Sequence, residues 1–485
     1  MSKQELVSFF FERNYMISPE VLKEIPESFD YKSFLDKNSS LNKSEHSIIL
    51  DNEFFKKLMP KVDEIKDNII TKVEIISSYE EKYKKREVKD FVTYFKLRYN
   101  SLKKILLKRS ELQGAVSIRR VSTKEKGEPV SIIGFVVAKD QTKNGHYILE
   151  LEDPTGTTKV LISAKNEELM PLMDEIVLDE IIGISGSVGE NIVFSNKLFF
   201  PDMTLNEYKK CKDDINVVFL SDIHIGSDLF AKKEFERFVD WINLRFGTEE
   251  QMGVARKVKY IVIPGDLIEG VGIYPGQEKD LLIKDVYKQY EEVARYFESL
   301  RKDVKIVVCA GNHEALRLAE PQPPLDKDFA KSIHKLKNVT CVSNPGSVRI
   351  HGMFEVLLYH GSGFDYYVNN NQFLRDQGGY ENQMATMEFF LKKRHLAPMH
   401  MSSLYIPDIK EDFLVIENLP DFFVSGHTHH EVKIANYKNV CLIGAGSFQH
   451  PTSYQEKLGH TNIAWGQIAV INLKTRVSKI IDFRD

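Results

Sequence analysis

The mostly apolar run Ile215 to Leu220 reads as a buried strand, and it ends directly on Ser221-Asp222-Ile223-His224. Four later runs repeat the pattern. Ile261-Val262-Ile263 leads into Pro264-Gly265-Asp266, and Ile306-Val307-Val308-Cys309 into Gly311-Asn312-His313-Glu314. Val356-Leu357-Leu358-Tyr359 leads into His360-Gly361, and Phe422-Phe423-Val424 into Gly426-His427-Thr428-His429. Helical patterns lie between them: Lys233 to Leu244, with Phe235, Phe238, Val239 and Ile242 on one face, and Lys284 to Leu300. This alternation predicts an α/β domain of layered sheets flanked by helices over 214–485. Strand carboxyl ends share one edge of such a sheet, so the side chains that follow the strands converge.

Upstream the pattern changes. Over 112–205 short alternating runs predict strands at 130–137, 147–153, 158–162, 181–188 and 191–197, with a Pro154-Thr155-Gly156 turn and a partly helical Asn166–Glu175 segment. Five short strands with an insertion before the fourth suit an OB-fold barrel, which binds single strands or proteins. Residues 36–110 read as a charged linker, flexible at Asn38–Ser44, followed by a basic amphipathic helix from Glu87 to Arg109. Val88, Phe91, Phe95, Leu102 and Leu106 are expected on its apolar face. Its bases (Lys84, Lys85, Arg86, Lys89, Lys96, Arg98, Lys103, Lys104, Lys108, Arg109) suit a solvated face or a nucleic-acid contact. Residues 1–35 read as a helical interaction module, with Ser18-Pro19-Glu20 as a helix start.

Composition narrows little beyond this. With 485 residues the chain has room for about three domains, and a net charge of -4 gives no global attraction to nucleic acid or anionic lipid. Four scattered cysteines make neither a disulfide framework nor a zinc ribbon. No apolar stretch reaches transmembrane length and no signal-peptide core opens the chain, so a cytoplasmic protein without a membrane partner is expected.

The loop residues carry the chemistry. Asp222, His224, Asp266, Asn312, His360, His427 and His429 mix carboxylate, imidazole and amide donors, which suit Mn, Mg, Fe or Zn. They suffice for two divalent ions, with Asp266 the natural bridge because Gly265 lets the backbone turn sharply before it. Singly, each has a plainer reading: a helix cap for Asp222 or Asp266, a turn for Asn312, a packed core histidine for His360. Five motifs in order, each at a strand end, favour the joint reading. His46, His146, His334, His351 and His460 lack that context, while His430 and His450 are near enough to support a ligand.

In this order, Asp-x-His, Gly-Asp, Gly-Asn-His-Glu, His and Gly-His-x-His resemble the calcineurin-like metallophosphoesterases over 216–450. The resemblance implies one ion on Asp222, His224, Asp266 and His429, and a second on Asp266, Asn312, His360 and His427. It leaves His313 as the acid that protonates the leaving oxygen. Gly265-Asp266-Leu267-Ile268-Glu269-Gly270 lacks the Arg by which related protein phosphatases grip a monoester. The order of helical unit, linker, barrel and phosphoesterase resembles the small (B) subunits of replicative DNA polymerases. The segments Asp90–Phe95, Glu320–Pro324, Arg394–Pro398 and Asp412–Glu417 are similar to the archaeal family D small subunits. That family implies a 3'-to-5' proofreading exonuclease acting on a single-stranded or frayed DNA end beside a separate large catalytic subunit. A non-catalytic scaffold, a phosphatase or another nuclease of the superfamily are the alternatives. Arg317 and Arg394 are candidate phosphate contacts, and the Asn- and Gln-rich stretch 366–377 is expected near the site.

Overall fold

The computed structural model describes residues 69–80, 84–202, 204–452 and 463–484, with 7–8, 10–12, 15–19, 22, 48–50 and 455 besides. The helical module expected over 1–35 and the linker at Asn38–Ser44 lie largely outside the described residues. Tyr15–Ile17 (β1) and Ile48–Leu50 (β2) pair in parallel.

Val73–Ser78 (β3) falls in the stretch expected to be linker, yet it pairs antiparallel with a strand some 270 residues later and completes a sheet of the 214–485 region. Helix α1 (Val88–Leu106) follows. The five barrel strands are β4 (Pro129–Gln141), β5 (Tyr147–Asp153), β6 (Gly156–Ile162), β7 (Ile181–Val188) and β8 (Ile192–Phe199). They close in the order β4-β5-β6-β8-β7, with β6 and β8 parallel and the other pairs antiparallel, which is OB-fold connectivity. Alternate residues such as Ile132, Leu149, Val160, Ile184 and Val193 fill the interior. Between β6 and β7 only the short 3-10 turn Pro171–Glu175 forms.

The remaining strands are β9 (Asn216–Phe219), β10 (Val258–Pro264), β11 (Lys305–Cys309), β12 (Val339–Cys341), β13 (Gly346–Ile350), β14 (Phe354–Leu358), β15 (Phe422–Ser425), β16 (Lys433–Tyr437), β17 (Val440–Gly444), β18 (Gln467–Asn472) and β19 (Ser478–Asp482). They make two six-stranded sheets, β12-β11-β10-β9-β18-β19 and β16-β17-β15-β14-β13-β3. The sheets share one core, in which Val217, Phe219 and Val262 meet Val356, Phe422 and Val424. Helices α2 (Lys232–Ile242) and α3 (Val286–Ser299) cover the far face of the first sheet through Phe235, Phe238, Val293 and Phe297. Helices α4 (Phe364–Asn370) and α5 (Gln383–Lys393) cover the second through Phe364, Met387 and Phe390. Strands apolar on both faces are what such a four-layer stack requires, and this is why β9, β10 and β11 read as unbroken hydrophobic runs.

Helix α1 departs from the expected face. Val88 is 80% exposed, whereas Asp90, Tyr94, Arg98 and Tyr99 are buried with Leu102 and Leu106. The reason is a polar cluster that apolar periodicity cannot reveal. Arg98 Nε donates to Asp412 Oδ2 at 2.7 Å, Tyr94 Oη to Asp412 Oδ1 at 2.6 Å, and His395 Nε2 lies 3.1 Å from the same carboxylate. Three of the segments that looked family-specific thus meet in one knot between the helix and the layered domain. Asp412 is buried, but Arg98 and His395 hold its carboxyl far below the usual range. Burial and the nearby guanidinium push His395 down to about 4. Arg98 is therefore unavailable to nucleic acid. A buried pair, Lys393 with Glu180 at 2.6 Å, ties α5 to the barrel in the same way.

Candidate metal centre

The loops after β9 and β10 run side by side at the edge where these strands end. Asp222 N donates to the Gly265 carbonyl at 3.2 Å, and Ile223 and His224 N to the Asp266 carbonyl at 2.7 and 3.1 Å. Five site residues sit in the left-handed region: Asp222 (φ 50), His224 (55), Asp266 (50), His427 (71) and His429 (53). Each costs on the order of 1 kcal/mol, strain that concentrates where side chains must be aimed. Two glycines allow the close approach. A Cβ on Gly311 would lie 2.2 Å from Asp266 Oδ1, and one on Gly426 2.5 Å from Asp222 Oδ2.

Four histidines face inward, and each outward nitrogen is engaged. His224 Nδ1 lies 2.8 Å from Glu269 Oε2, His360 Nδ1 donates to the Pro264 carbonyl at 2.8 Å, and His427 Nε2 lies 3.0 Å from Asp365 Oδ2. His429 Nδ1 meets Ser447 Oγ at 3.4 Å. The inward atoms then crowd one another. His224 Nε2 is 3.2 Å from His429 Nε2 and 3.6 Å from Asp266 Oδ2, and His429 Nε2 is 3.4 Å from Asp222 Oδ1. His360 Nε2 is 2.8 Å from Asn312 Oδ1 and 3.4 Å from Asp266 Oδ2, and His427 Nδ1 is 3.1 Å from Asn312 Oδ1. Lone pairs at these separations repel unless positive charge stands among them. The donor set therefore fits divalent cations, in two nests with Asp266 in both, and metal-competent groupings form around Asp222-His224-His429 and Asp222-Asp266-His360.

Protons otherwise supply that charge. Burial disfavours charge on His224, yet its bond to Glu269 and the facing Asp266 and Asp222 raise it to about 9. Against the same penalty, Asp266 and Asp222 raise His360 to about 10. Asp266 is held well below the carboxylate range despite its burial, chiefly by His360 and His313. Burial pushes Glu314 up to about 8, reinforced by Asp266. Glu314 also staples the loops: its carboxyl accepts from the N–H groups of Gly311 at 2.6 Å, Leu267 at 2.7 Å and Asp266 at 3.2 Å.

His313 is at the lip. Its backbone N–H donates to Asp266 Oδ1 at 2.9 Å, and its Nδ1 donates to the Glu269 carbonyl at 2.8 Å. A carbonyl only accepts, so the free imidazole atom is Nε2. His313 also groups with His224 and Asp266 as a possible ligand triad.

Arg317 and Arg394 are engaged elsewhere. Arg317 donates to the carbonyls of Ala319 at 3.2 Å and Pro321 at 2.7 Å and lies over the Tyr79 ring. Arg394 is buried, caps α5 with φ 55 and donates to the Glu417 carbonyl. Each is spent on holding a loop. His450 packs edge-on against Trp465, and His430 bridges to Ile463. The stretch 366–377 is mainly helical rather than loop, and the residue just before it, Asp365, reaches His427.

Sequence reasoning assigned no role to Glu269, Glu314, Asp365, Ser447 or Gln449, whose Nε2 reaches Glu269 Oε2 at 2.9 Å. Glu269 and Glu314 stand three and two residues after predicted ligands, and Glu314 closes the Gly-Asn-His-Glu motif, which are the signals they offered.

The stacked sheets and the cation-fitting edge are those of a phosphoesterase-type domain, and residues 215–431 match the calcineurin-like phosphoesterase family. Over longer spans the chain is similar to proteins of narrower description. It is 41% identical over 401 residues to the DNA polymerase II small subunit of Methanothermobacter thermautotrophicus, covering 83% of this chain and 80% of that protein. The corresponding subunit of Archaeoglobus fulgidus is 36% identical over 411 residues (84% and 80%), and that of Pyrococcus abyssi 32% over 437 (85% and 69%). The chain belongs to the DNA polymerase II small-subunit family. No helix among the described residues is long and apolar enough to cross a membrane.

Proposed function

We propose that the chain is the 3'-to-5' proofreading exonuclease subunit of a two-part replicative DNA polymerase in the cytoplasm, paired with a large subunit that adds nucleotides. Residues 214–485 hydrolyse the phosphodiester, and the barrel at 112–205 serves DNA or partner binding. One observation carries the reading: an undiminished donor set faces inward beside a histidine whose Nε2 is uncommitted. Asp222, His224, Asp266 and His429 would hold one cation, and Asp266, Asn312, His360 and His427 the other. Bound there, two divalent ions lower the pKa of water toward neutrality and offset charge on the phosphoryl oxygens. The chain's residues do the rest. Glu269 and the Pro264 carbonyl fix the rings of His224 and His360, and Glu314 fixes the two loops that bring Asp266 and Asn312 together. As the oxygen of water bonds to phosphorus and the bond from phosphorus to the 3'-oxygen breaks, the doubly protonated His313 ring would give its Nε2 proton to that oxygen and keep its Nδ1 proton on the Glu269 carbonyl.

Purified chain with Mn should shorten a single-stranded or mismatched 3' end, releasing nucleoside monophosphates, and His313→Ala should abolish this. Equal trimming by both proteins refutes the assignment. Turnover of a small phosphomonoester without a polynucleotide end would replace it with a phosphatase, and absence of all turnover with two ions bound would leave a scaffold.

A further inference from the structure

His360 and the group that orients His427 come from one turn. After β14, Gly361 (φ 125) passes so close to the neighbouring loop that a Cβ there would lie 3.1 Å from the Cβ of His427. Gly363 N donates to Tyr359 Oη at 2.8 Å, and the buried Phe364 stacks on Phe390 at 5.6 Å between centroids. These contacts pin the two residues that precede Asp365 at the start of α4. Asp365 Oδ2 then lies 3.0 Å from His427 Nε2, while Nδ1 of the same ring lies 3.1 Å from Asn312 Oδ1.

We infer that Asp365 is a positioning residue, which keeps the His427 proton on Nε2 and so leaves the Nδ1 lone pair for the cation shared with Asn312 and His360. Ligand histidines are commonly fixed in this way by a carboxylate or carbonyl on the far nitrogen. Among the described residues the other far-nitrogen partners in this site are the buried Glu269, the Pro264 carbonyl and the buried Ser447 hydroxyl on His429, closed off from water. Asp365 differs. Its side chain is 55% exposed, against 19% for His427, so it is the one orienting group that solvent reaches freely. The His427 cation is therefore the one whose retention depends on a replaceable surface carboxylate. Removing it lets the imidazole take the other tautomer or turn away, because water satisfies either nitrogen.

The inference rests on the two-cation reading but does not require nuclease activity. Calorimetric titration of the 485-residue chain with Mn at about pH 7.5 separates the two. Wild type should take up two ions. Asp365→Ala should leave the tighter ion unchanged and weaken the other ~10- to 100-fold, with an unchanged melting temperature in the metal-free protein. Asp365→Asn, whose amide oxygen still accepts from Nε2, should recover most of that loss. In a His427→Ala background the Asp365→Ala change should cost nothing further. Two ions bound by Asp365→Ala with wild-type affinity overturn the inference and leave the proposed function standing. The expected weakening in a chain that trims no DNA end does the reverse. A wild-type chain that binds fewer than two ions overturns both.

Discussion

Asp222 and His427 are 205 residues apart in the chain, yet the backbone N–H of His427 donates to both carboxylate oxygens of Asp222, at 3.1 and 3.0 Å. The contact joins the edges of two different sheets, since Asp222 follows β9 and His427 follows β15. It sets the carboxylate plane before any cation is considered. The two loops that the sequence places farthest apart thus close the site.

His313 should separate chemistry from binding. Its imidazole is held by the Glu269 carbonyl and not by the paired donors of the second nest. His313→Ala should lower kcat ~10²- to 10⁴-fold with KM nearly unchanged. Metal content measured by plasma emission should stay near wild type. A variant that loses ions and activity together would instead make His313 a ligand, as its grouping with His224 and Asp266 permits.

Glu269 should act through His224. Its carboxylate meets His224 Nδ1 at 2.8 Å and Gln449 Nε2 at 2.9 Å. Glu269→Gln keeps the shape but removes a charge that burial leaves unscreened, unlike that of the exposed Asp365, and should weaken Mn binding ~10- to 100-fold. Equilibrium dialysis at fixed pH gives the comparison.

Protons and cations compete for this pocket, so pH dependence has a definite sign. His224, raised to about 9, and His360, raised to about 10, must each give up a proton for an inward lone pair to bind. Mn affinity should therefore rise steadily with pH from 6 to 9, conditions of about those values. The same shifts act on folding. A histidine raised in the native state contributes stability below its unfolded pKa of about 6.5 and loses it as pH climbs through the native value. Glu314, raised to about 8, disfavours folding once the unfolded chain ionises above about 4.3, which adds to the same trend. The melting temperature of metal-free protein should fall between about pH 6.5 and 10, and added Mn should reverse the fall. A metal-free melting curve flat across that window would contradict the proton count.

Asp412 should matter to the fold and not to the chemistry. Asp412→Ala leaves Arg98 buried and unpaired beneath α1, which costs about 3–5 kcal/mol. Urea titration should show that loss, while Mn stoichiometry under native conditions stays unchanged. Arg98→Met with Asp412→Leu should recover part of the stability, because it removes both buried charges and leaves only neutral groups, the Tyr94 hydroxyl and the His395 ring, without the carboxylate.

The strands beside the site and the types of their terminal residues were legible because both are local. Apolar runs buried on two faces look alike wherever they fold, and a ligand residue type at a strand end is visible without knowing its partner. The face of α1 was misread for the opposite reason. Arg98 and Tyr94 are buried by a carboxylate more than 300 residues away, which no periodicity registers. The carbonyl bonds of Arg317 and Arg394 were hidden likewise, since a basic residue near a ligand motif looks the same whether it meets phosphate or a backbone carbonyl.

The amino-acid sequence by itself determined the five strands beside the site, the barrel, and the donor residue types that stand at those strand ends. Tertiary structure alone decided that β3 belongs to the phosphoesterase sheet and that Glu269, Glu314 and Asp365 orient the donors. It also decided which nitrogen of each histidine faces inward. Local pattern encodes what a residue is and which element it ends. Orientation depends on hydrogen bonds between residues tens to hundreds of positions apart, and these exist only once the two sheets have packed.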